Sequence, residues 1–355
     1  MNFYMKPRIV ILSAFISPLR SGAEACAEEV PLQLKGQYDF FIVTARMRRN
    51  LPRKDVLKGS IPVVRVGLGL GLDKWLFPFL APFTVRNLKP DIIHAVLETF
   101  AGLALVFCRL IVPSSKRMLT LQTTNRSFLK KMIVKSPDRV TAISSVLKKI
   151  AEQWRHDQVV LIPNGIHVAE INESQMRNEK VPRSILFVGR LEPMKGIDTL
   201  LNACAKLEGE WFLRIVGNGS QRQVLEKLSG ELQINDRVTF MGYVSAPQIY
   251  NEYAKAEIFC GLSRSEGLGN VFLEAQMAGC AVVGTRIGGI PDIVKDEEVG
   301  ILVSPDDVGA ANEAITKILN DASLRLRFSQ AGKENAKKYD WKNIAEQYKS
   351  VYEEL

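Results

Sequence analysis

In the second half of the sequence, two cations closely follow an apolar run that is typical of a buried strand. Arg190 and Lys195 come after SILFVG and before an amphipathic stretch that predicts a helix. Charge-assisted hydrogen bonds and the positive end of the helix dipole both favour an anion at such a strand end. A surface lysine near a helix start is the alternative interpretation of Lys195. The first interpretation predicts a site for a diphosphate.

Two carboxylates lie eight residues apart in the segment SRSEGLGNVFLEAQMAGC (263–280). Glu266 lies in a glycine-rich loop, and Glu274 lies in the first turns of a helix predicted to begin near Gly269 or Asn270. Each carboxylate can accept hydrogen bonds from paired sugar hydroxyls, and the loop amides can hold a phosphate oxygen. A helix start enriched in acidic residues explains Glu274 but not the glycine-flanked Glu266. The candidate amide donors belong to Gly267, Leu268, Gly269, Asn270 and Val271.

The elements that must position these residues alternate between short apolar runs and amphipathic stretches along the whole chain. The runs that predict strands are RIVILSAF, DFFIVTA, IPVVRV, DIIHAV, RMLTLQ, RVTAIS and VVLIP in the first half, and SILFVGR, WFLRIVG, RVTFMG, EIFCGLS, AVVGT and ILVSP in the second. Short continuous apolar strands indicate parallel sheets covered by helices on both faces. Each half therefore reads as a doubly wound α/β domain, with the polar stretch 165–183 as the linker. Ligands of such sheets bind beyond the carboxyl ends of the strands, which is where the cations and carboxylates lie.

Charge is distributed unevenly over a chain of otherwise ordinary globular composition. The 355 residues suggest two domains, and 46% hydrophobic and 24% charged residues argue against wholesale disorder and against a multi-pass membrane protein. The net charge of +9 divides into +14 for residues 1–165 and −5 for residues 166–355. Basic residues concentrate in segments 46–58 and 128–135, with the aromatic, proline-broken segment KWLFPFLAPF (74–83) between them. Two interpretations remain open, a solvated charged face and a surface for an anionic membrane.

Cysteine and histidine usage gives no support for a disulfide framework or a dedicated metal site. The five cysteines are scattered without a C-x-x-C pair, the three histidines are far apart in sequence, and no Asp-x-Asp pair occurs. A reducing cytosol is the simplest compartment. The apolar run 9–16 is expected to be a buried strand rather than the core of a signal peptide. The segment GLGLG (67–71) lacks the spacing of a dinucleotide-binding loop and is expected to be an ordinary loop.

Over essentially its whole length, the sequence resembles the retaining glycosyltransferases of family 4, also called group 1, which have the GT-B fold. The family's E-x7-E signature matches Glu266 and Glu274, and its two cations after the first strand of the donor domain match Arg190 and Lys195. The other matching segments are VGNGS (216–220), FMGYVS (240–245), IPNGI (162–166) and TRIGGIPDIV (285–294).

The resemblance implies a fold and a role for each matching residue. In a GT-B fold, two Rossmann-like domains face each other across a cleft, here 1–165 for the acceptor and 166–340 for the donor, and residues 341–355 form a helix that crosses back to the first domain. By resemblance, Glu274 binds the ribose hydroxyls, Glu266 contacts the donor sugar, and Arg190 and Lys195 neutralise the diphosphate. The implied contacts to the rest of the donor nucleotide are Gly217, Asn218, Tyr243, Val244 and, in the first domain, Gly22.

The sequence departs from the family pattern at two places in the first domain. The Gly-Gly-Ala-Glu turn of the family is here Ser21-Gly22-Ala23-Glu24, which keeps only the second glycine. Many members carry a histidine in the loop after the strand that matches RMLTLQ, whereas this loop reads Gln122-Thr123-Thr124-Asn125. Gln122 and Thr123 are therefore candidates for the acceptor side. His94, at the end of DIIH, is a third candidate, with a structural histidine as the alternative.

These observations lead to the expectation of a retaining, metal-independent hexosyltransferase. Its co-substrate would be a UDP- or GDP-sugar, without a further cofactor. Its acceptor would be a lipid-linked sugar or a growing polysaccharide or glycolipid of the cell envelope, reached by a cytoplasmic protein that is peripheral on the inner membrane face. A nucleotide-sugar epimerase or phosphorylase on a similar scaffold is the alternative enzyme. A nucleic-acid-binding protein is a more distant alternative, since the basic segments are mixed with aliphatic residues and no nucleic-acid module is recognised.

Overall fold

The structure is a computed structural model that describes residues 6–19, 22–124 and 129–355. The chain divides into two compact units. The N-terminal unit comprises Met1–Gly165 together with Trp341–Leu355, and the C-terminal unit comprises Ile166–Asp340. Both are α/β units built on sheets of mainly parallel strands, which confirms the fold class predicted from the sequence.

In the described part of the N-terminal unit, eight strands form one sheet in the order β3-β4-β2-β1-β5-β6-β7-β8. The strands are β1 (Arg8–Leu12), β2 (Asp39–Ala45), β3 (Lys54–Leu57), β4 (Ile61–Val66), β5 (Ile92–Val96), β6 (Lys116–Leu121), β7 (Arg139–Ala142) and β8 (Val160–Leu161). The helices are α1 (Ala25–Leu34), α2 (Asp73–Leu88), α3 (Phe100–Ile111), α4 (Lys130–Lys135), α5 (Ser145–Glu152) and α14 (Trp341–Glu353).

The sequence predicted a parallel sheet, and one edge of this sheet departs from that pattern. β3 pairs antiparallel with β4, so part of the basic segment 46–58 is an edge strand. The turn between them contains Lys58 and Gly59, both with positive φ, which lets two adjacent strands reverse direction within three residues. Arg65 of β4 fixes the hairpin by donating to the Asp55 carboxylate at 2.9 Å.

The prolines of segment 74–83 do not interrupt the helix that contains them. α2 runs unbroken through Pro78 and Pro82, both of which are buried. Each proline removes one backbone donor from the helix. Packing of α2 against β2 and α3 compensates for this loss.

α14 completes the hydrophobic core of the N-terminal unit, as the resemblance predicted. Trp341, Ile344 and Tyr348 belong to the same buried cluster as Cys26 and Val30 of α1.

All five cysteines of the chain are buried and unpaired, in agreement with the sequence analysis.

In the C-terminal unit, six strands form a wholly parallel sheet in the order β11-β10-β9-β12-β13-β14 within the residues described. The strands are β9 (Ser184–Val188), β10 (Phe212–Val216), β11 (Val238–Gly242), β12 (Ile258–Gly261), β13 (Ala281–Thr285) and β14 (Gly300–Val303). The helices are α6 (Val168–Arg177), α7 (Ile197–Cys204), α8 (Arg222–Glu231), α9 (Gln248–Lys255), α10 (Asn270–Met277), α11 (Ile290–Ile293), α12 (Val308–Asn320) and α13 (Ala322–Ala336).

The sequence analysis predicted that the stretch 165–183 is a linker, but the structure shows that it is more than a connection between the units. Most of it forms α6, whose Ile171 is fully buried. Lys180 donates to the backbone carbonyls of Ala256 and Ala278 at 2.5 and 2.9 Å, and these follow α9 and α10. Lys180 thus satisfies carbonyl groups at the ends of two helices, and the stretch is structured although it is polar.

Candidate active site

The order of the strands defines one place in each sheet where a ligand is expected. In the C-terminal unit, β9 lies between β10 and β12, so the chain leaves β9 to one side and later returns on the other. Open α/β sheets bind ligands at such a reversal, beyond the carboxyl ends of the two strands. The loops after β9 and β12 contain the predicted cations and Glu266. In the N-terminal unit the corresponding reversal lies between β1 and β5.

The loops after β9 and β12 are in direct contact. Lys195 ends a short 3₁₀ turn (Pro193–Lys195), and Gly196 follows it with φ 63°. A Cβ at Gly196 would overlap the carbonyl oxygen of Leu262, the residue after β12. The glycine therefore allows the β9 loop to approach the β12 loop closely enough for their side chains to meet.

Lys195 and Glu266 form an ion pair at this contact. The Lys195 Nζ lies 2.5 Å from the Glu266 Oε2, and the two side chains are only 17% and 16% exposed. The Ser263 hydroxyl donates to the same carboxylate oxygen at 3.3 Å. The structure thus brings together two of the three residues that the sequence analysis predicted to be catalytic.

The third, Arg190, lies in the exposed part of the β9 loop. Its guanidinium makes no hydrogen bond or ion pair within the described ranges, and its charge interacts electrostatically with the Glu192 carboxylate in the same loop. The guanidinium can therefore bind an anion directly. Arg264, in the β12 loop, was not predicted. It donates to Asp198 and Asp306 at 2.7 Å each, and the hydrogen bond to Asp198 is the main cause of its raised pKa. Because these carboxylates pair its charge, Arg264 fixes the loop and leaves anion binding to Arg190 and Lys195.

The loop after β13 supports Glu266 from another side. Gly288 has φ 57°, and a Cβ there would overlap the carbonyl oxygen of Glu266. Thr285 donates its hydroxyl to the Ser263 carbonyl at 2.6 Å. This close packing explains why the segment TRIGGIPDIV carries glycine after its strand.

α10 begins at Asn270, after Gly269 with φ 96°. The predicted amide donors at 267–271 therefore surround a helix N-terminus, where the amide groups and the helix dipole favour an anion. Glu274 lies further along α10, half-buried, and its Oε2 accepts from the Tyr253 hydroxyl at 2.8 Å. Burial raises the pKa of Tyr253 well above its ordinary value, and the Glu274 carboxylate adds to the rise. Tyr253 therefore stays protonated and orients Glu274.

The loop after β10 packs on the loop after β9. Gly217 has φ 137°, and a Cβ there would overlap the Gly189 carbonyl oxygen. The Leu191 amide donates to the Asn218 carbonyl at 3.0 Å, and the Gly217 amide donates to the carbonyl of Gly242, the last residue of β11, at 2.8 Å. These contacts join the ends of β9, β10 and β11.

Tyr243 and Val244 follow β11 directly. Tyr243 is 76% exposed, whereas Val244 is half-buried. The Tyr243 ring is thus free to contact a ligand beyond the strand end, as the resemblance implies for the nucleotide base. This role remains a prediction.

In the N-terminal unit, the loop after β6 is fixed by a buried carboxylate that the sequence analysis missed. Glu98 and Lys130 are 2% and 3% exposed and form an ion pair at 2.8 Å. The Glu98 carboxylate also accepts from the Gln122 and Thr123 amides and from the Thr123 hydroxyl. The Gln122 side chain is itself buried and exchanges two hydrogen bonds with Asn164. Of the two acceptor-side candidates in this loop, only Thr123 is partly exposed.

His94 is not available to a ligand, which corrects its candidacy for the acceptor side. It lies within β5 rather than beyond it and is fully buried. Its Nδ1 and Nε2 each lie 2.7 Å from a hydroxyl, that of Tyr352 and that of Thr120 respectively. Burial lowers the pKa of His94 to about 3, so the ring is neutral. The geometry therefore supports the alternative interpretation, in which His94 is a structural histidine.

Gly22 is exposed and begins a 3₁₀ turn, Gly22–Glu24, that leads into α1. It follows β1 on the side where the sheet of the N-terminal unit reverses, which is a suitable position for a ligand contact. The preceding Ser21, and Asn125 of the loop after β6, lie outside the described residues.

Comparison with known proteins extends these observations to a family. The model of Glycosyltransferase Family 4 matches residues 20–170, and that of Glycosyl transferases group 1 matches residues 169–335. An uncharacterized glycosyltransferase of Methanocaldococcus jannaschii is 26% identical over 357 residues, 98% of each chain. The phosphatidyl-myo-inositol mannosyltransferase of Mycobacterium tuberculosis is 32% identical over 252 residues, which cover 68% of this chain and 65% of that protein.

Two solved structures show the same fold over the full chain. Sucrose-phosphate synthase from Thermosynechococcus elongatus superposes with a TM-score of 0.86 at 22% identity, covering 99% of each chain. Anabaena HepE, solved with UDP-glucose, has a TM-score of 0.80 at 18% identity, covering 98% of this chain and 100% of that one. Two parallel-sheet units of this kind are characteristic of the GT-B fold. The chain belongs to glycosyltransferase family 4, the group 1 glycosyl transferases.

Proposed function

We propose that the protein transfers a sugar from a nucleotide diphosphosugar to an acceptor with retention of anomeric configuration. The observation that carries the proposal is the Lys195–Glu266 pair at the sheet reversal of the C-terminal unit, with the uncommitted Arg190 in the same loop as Lys195. Cations, a helix N-terminus and sugar-binding carboxylates on loops at one sheet edge suit a ligand that is anionic at one end and hydroxyl-rich at the other.

In the proposed reaction, the bond between the anomeric carbon and the diphosphate breaks, and negative charge develops on the leaving group. Arg190, Lys195 and the amides at the start of α10 stabilise that charge, so we propose no metal ion and no further cofactor. Glu266 accepts hydrogen bonds from hydroxyls of the donor sugar. Glu274, oriented by Tyr253, accepts them from the ribose hydroxyls. The donor is a UDP- or GDP-sugar. The fold shared with HepE, which was solved with UDP-glucose, supports this donor class.

The acceptor is proposed to be a lipid-linked sugar or a growing polysaccharide or glycolipid of the cell envelope. The excess of basic residues in the first half of the chain favours an anionic surface, and the name of the similar phosphatidyl-myo-inositol mannosyltransferase indicates a lipid acceptor for that protein. The protein would then act in the cytoplasm, peripherally on the inner membrane face. No specific observation favours nucleic acid as a partner.

Thermal-shift measurements with UDP-, GDP- and ADP-sugars test the donor class. One nucleotide sugar is expected to stabilise the protein, because a ligand at 100 times its dissociation constant adds about 2.7 kcal/mol. Incubation with that donor and an acceptor, followed by NMR of the product, is expected to show the anomeric configuration of the donor, with or without EDTA. Turnover of the donor without an acceptor would favour the epimerase or phosphorylase instead. No stabilisation by any nucleotide sugar would contradict the proposal.

A further inference from the structure

α2 of the N-terminal unit carries apolar side chains on its solvent-exposed face. Six of them are between 40% and 67% exposed: Leu72, at the residue before the helix, and Trp75, Leu76, Phe79, Leu80 and Phe83. Their spacing of three and four residues places them along one side, while Phe77, Ala81 and Val85 are buried on the other. A helix in water normally exposes polar residues on its outer face. Contiguous exposed apolar residues mark a surface that contacts something other than water.

α3 extends this apolar surface. The Trp75 ring lies edge-on against Phe100, with 4.9 Å between ring centroids, and Phe79 packs on Phe107 with 5.1 Å between centroids. Leu110, near the end of α3, is 79% exposed. Both helices therefore contribute to one continuous surface, which we call the α2–α3 face.

A basic groove borders the α2–α3 face. Its volume is about 570 Å³, and it is lined by Val106, Arg109, Lys131, Met132, Lys135 and Ser136. Its three cations make no side-chain hydrogen bond or ion pair with any residue that the structure describes. Residues 99–137 include no Asp or Glu in the sequence, so no acidic residue of this stretch neutralises them. The groove offers positive charge beside an apolar wall.

The charge distribution selects between the occupants that an apolar face could have. A second copy of the chain in a two-fold dimer would place this basic, acid-free surface against itself, which like charges oppose. An anionic bilayer offers lipid phosphates at its surface and acyl chains beneath them, and so complements both the groove and the α2–α3 face.

We propose that the α2–α3 face docks on an anionic bilayer, with the exposed side chains of α2 inserted among the acyl chains and Arg109, Lys131 and Lys135 at the lipid phosphates. The inference rests on the proposed function, because it names the partner through which a lipid-linked acceptor would be reached. It goes further in assigning the contact to one helix face and in requiring insertion rather than surface attraction alone.

Tryptophan fluorescence of the full chain with vesicles of phosphatidylglycerol and phosphatidylcholine tests insertion. Of the four tryptophans, Trp75 is 60% exposed, Trp154 is half-buried, and Trp211 and Trp341 are buried. A blue shift and quenching by bromine-labelled acyl chains are expected to come from Trp75, the one that lies on the α2–α3 face. Trp75→Phe should bind the vesicles as tightly as the parent protein and lose the shift. Binding without any shift in the parent protein would overturn the insertion.

Flotation with the same vesicles tests which residues bind. The double variant Leu72→Ser/Phe83→Ser should lower partitioning at least about tenfold, because two apolar side chains no longer leave water. Leu326→Ser, which changes a comparably exposed leucine of α13, is the control and should have no effect. Lys131→Gln and Lys135→Gln should each weaken binding to anionic vesicles about fivefold, whereas Lys338→Gln, an exposed lysine after α13, should not. Equal effects of variants and controls would contradict the proposal.

Two further measurements separate this inference from its rivals. Sedimentation without lipid is expected to show that Leu72→Ser/Phe83→Ser leaves the oligomeric state unchanged. A dimer that this variant dissociates would assign the face to a second copy instead. The stabilisation by nucleotide sugar should be the same in parent and variant. If the variant loses vesicle binding but keeps this stabilisation, the α2–α3 face acts in membrane binding and not in donor binding. If the parent protein binds vesicles but no nucleotide sugar, only the proposed function is contradicted.

Discussion

At the scale of single residues, the site depends on which charges are already paired. Arg264 is close to the predicted phosphate site, yet Asp198 and Asp306 hold its guanidinium. Lys195 pairs with the one carboxylate that is also proposed to contact the donor sugar. A diphosphate that approaches Lys195 therefore competes with Glu266, and the released carboxylate becomes available to sugar hydroxyls. Binding of the anion and of the sugar would be linked through this single pair.

Lys195→Ala is expected to lower kcat by about a hundredfold, because one contact to the leaving diphosphate is lost in the transition state, at a cost of about 3 kcal/mol. The fold should survive, since Lys195 lies in a surface loop. Steady-state kinetics with the preferred nucleotide sugar measures the effect. Lys206→Ala, an exposed lysine just after α7, is the control and should leave kcat unchanged. An unchanged kcat in Lys195→Ala would contradict the assignment of Lys195 to the leaving diphosphate.

His94 gives the fold a dependence on pH that is separate from catalysis. Its pKa is about 3 when folded and ordinarily 6.5, so below pH 6.5 the unfolded chain binds a proton that the folded one excludes. The contribution of neutral His94 to the free energy of unfolding is complete above pH 6.5 and is lost as the pH falls towards 3. Urea unfolding is expected to show this contribution shrinking by up to about 1.4 kcal/mol per pH unit in that window. In His94→Gln that slope should be shallower; identical slopes would contradict the assignment.

The sequence did not reveal which side chains form hydrogen bonds or ion pairs with each other. Lys195 and Glu266 were predicted because each lies on a recognisable local pattern, a cation before a helix and a carboxylate among glycines. Glu98 has no such pattern, and its function depends on Lys130 and on the Gln122 and Thr123 amides, which are distant in sequence. Likewise, His94 ends an apolar run in the sequence, but the hydroxyls that satisfy it come from β6 and α14. Contacts between residues far apart in sequence require the fold.

At the scale of elements, glycines in the strand-end loops set how closely those loops approach. A Cβ at Gly196, Gly217 or Gly288 would overlap a carbonyl oxygen of a neighbouring loop, and all three have positive φ. The apolar runs predicted most strands of the sheets, because burial on both faces leaves a clear signal. β3 and α6 were missed because their sequences are polar and their formation depends on a hairpin turn and on packing, respectively.

Gly288→Ala tests this role of the glycines. A methyl group there would displace the Glu266 carbonyl, and the positive φ adds backbone strain of about 1–3 kcal/mol. We expect kcat/KM to fall at least about tenfold and the free energy of unfolding to decrease. Gly230→Ala is the matched control, since that glycine lies in α8 with open space around it; alanine there should stabilise the protein by up to about 1 kcal/mol. Equal behaviour of the two variants would refute the positioning role.

At the scale of the whole molecule, the net charge of +9 is an average over two halves of different character. The first half carries +14, whereas the second carries −5 and presents its proposed anion-binding groups at defined positions. Among the described residues, no helix is long and apolar enough to cross a bilayer. A dispersed positive charge acts over distance and is screened by salt, while a cation in direct contact with its ligand is screened far less.

Salt should therefore separate the two steps of the proposed reaction. Raising the salt concentration from about 0.05 M to about 0.3 M shortens the screening length to well below the width of the basic surface. We expect transfer to an acceptor in anionic vesicles to fall at least about tenfold, because capture of the membrane depends on that surface. Transfer to a water-soluble analogue of the acceptor should fall much less, because the donor is held by direct contacts and only one of its two proposed cations, Arg190, is exposed, whereas Lys195 is less than one-fifth exposed. Parallel kinetics with the two acceptors measure the difference. An equal loss with both would mean that salt acts on donor binding, and the basic surface would have no part in reaching the acceptor.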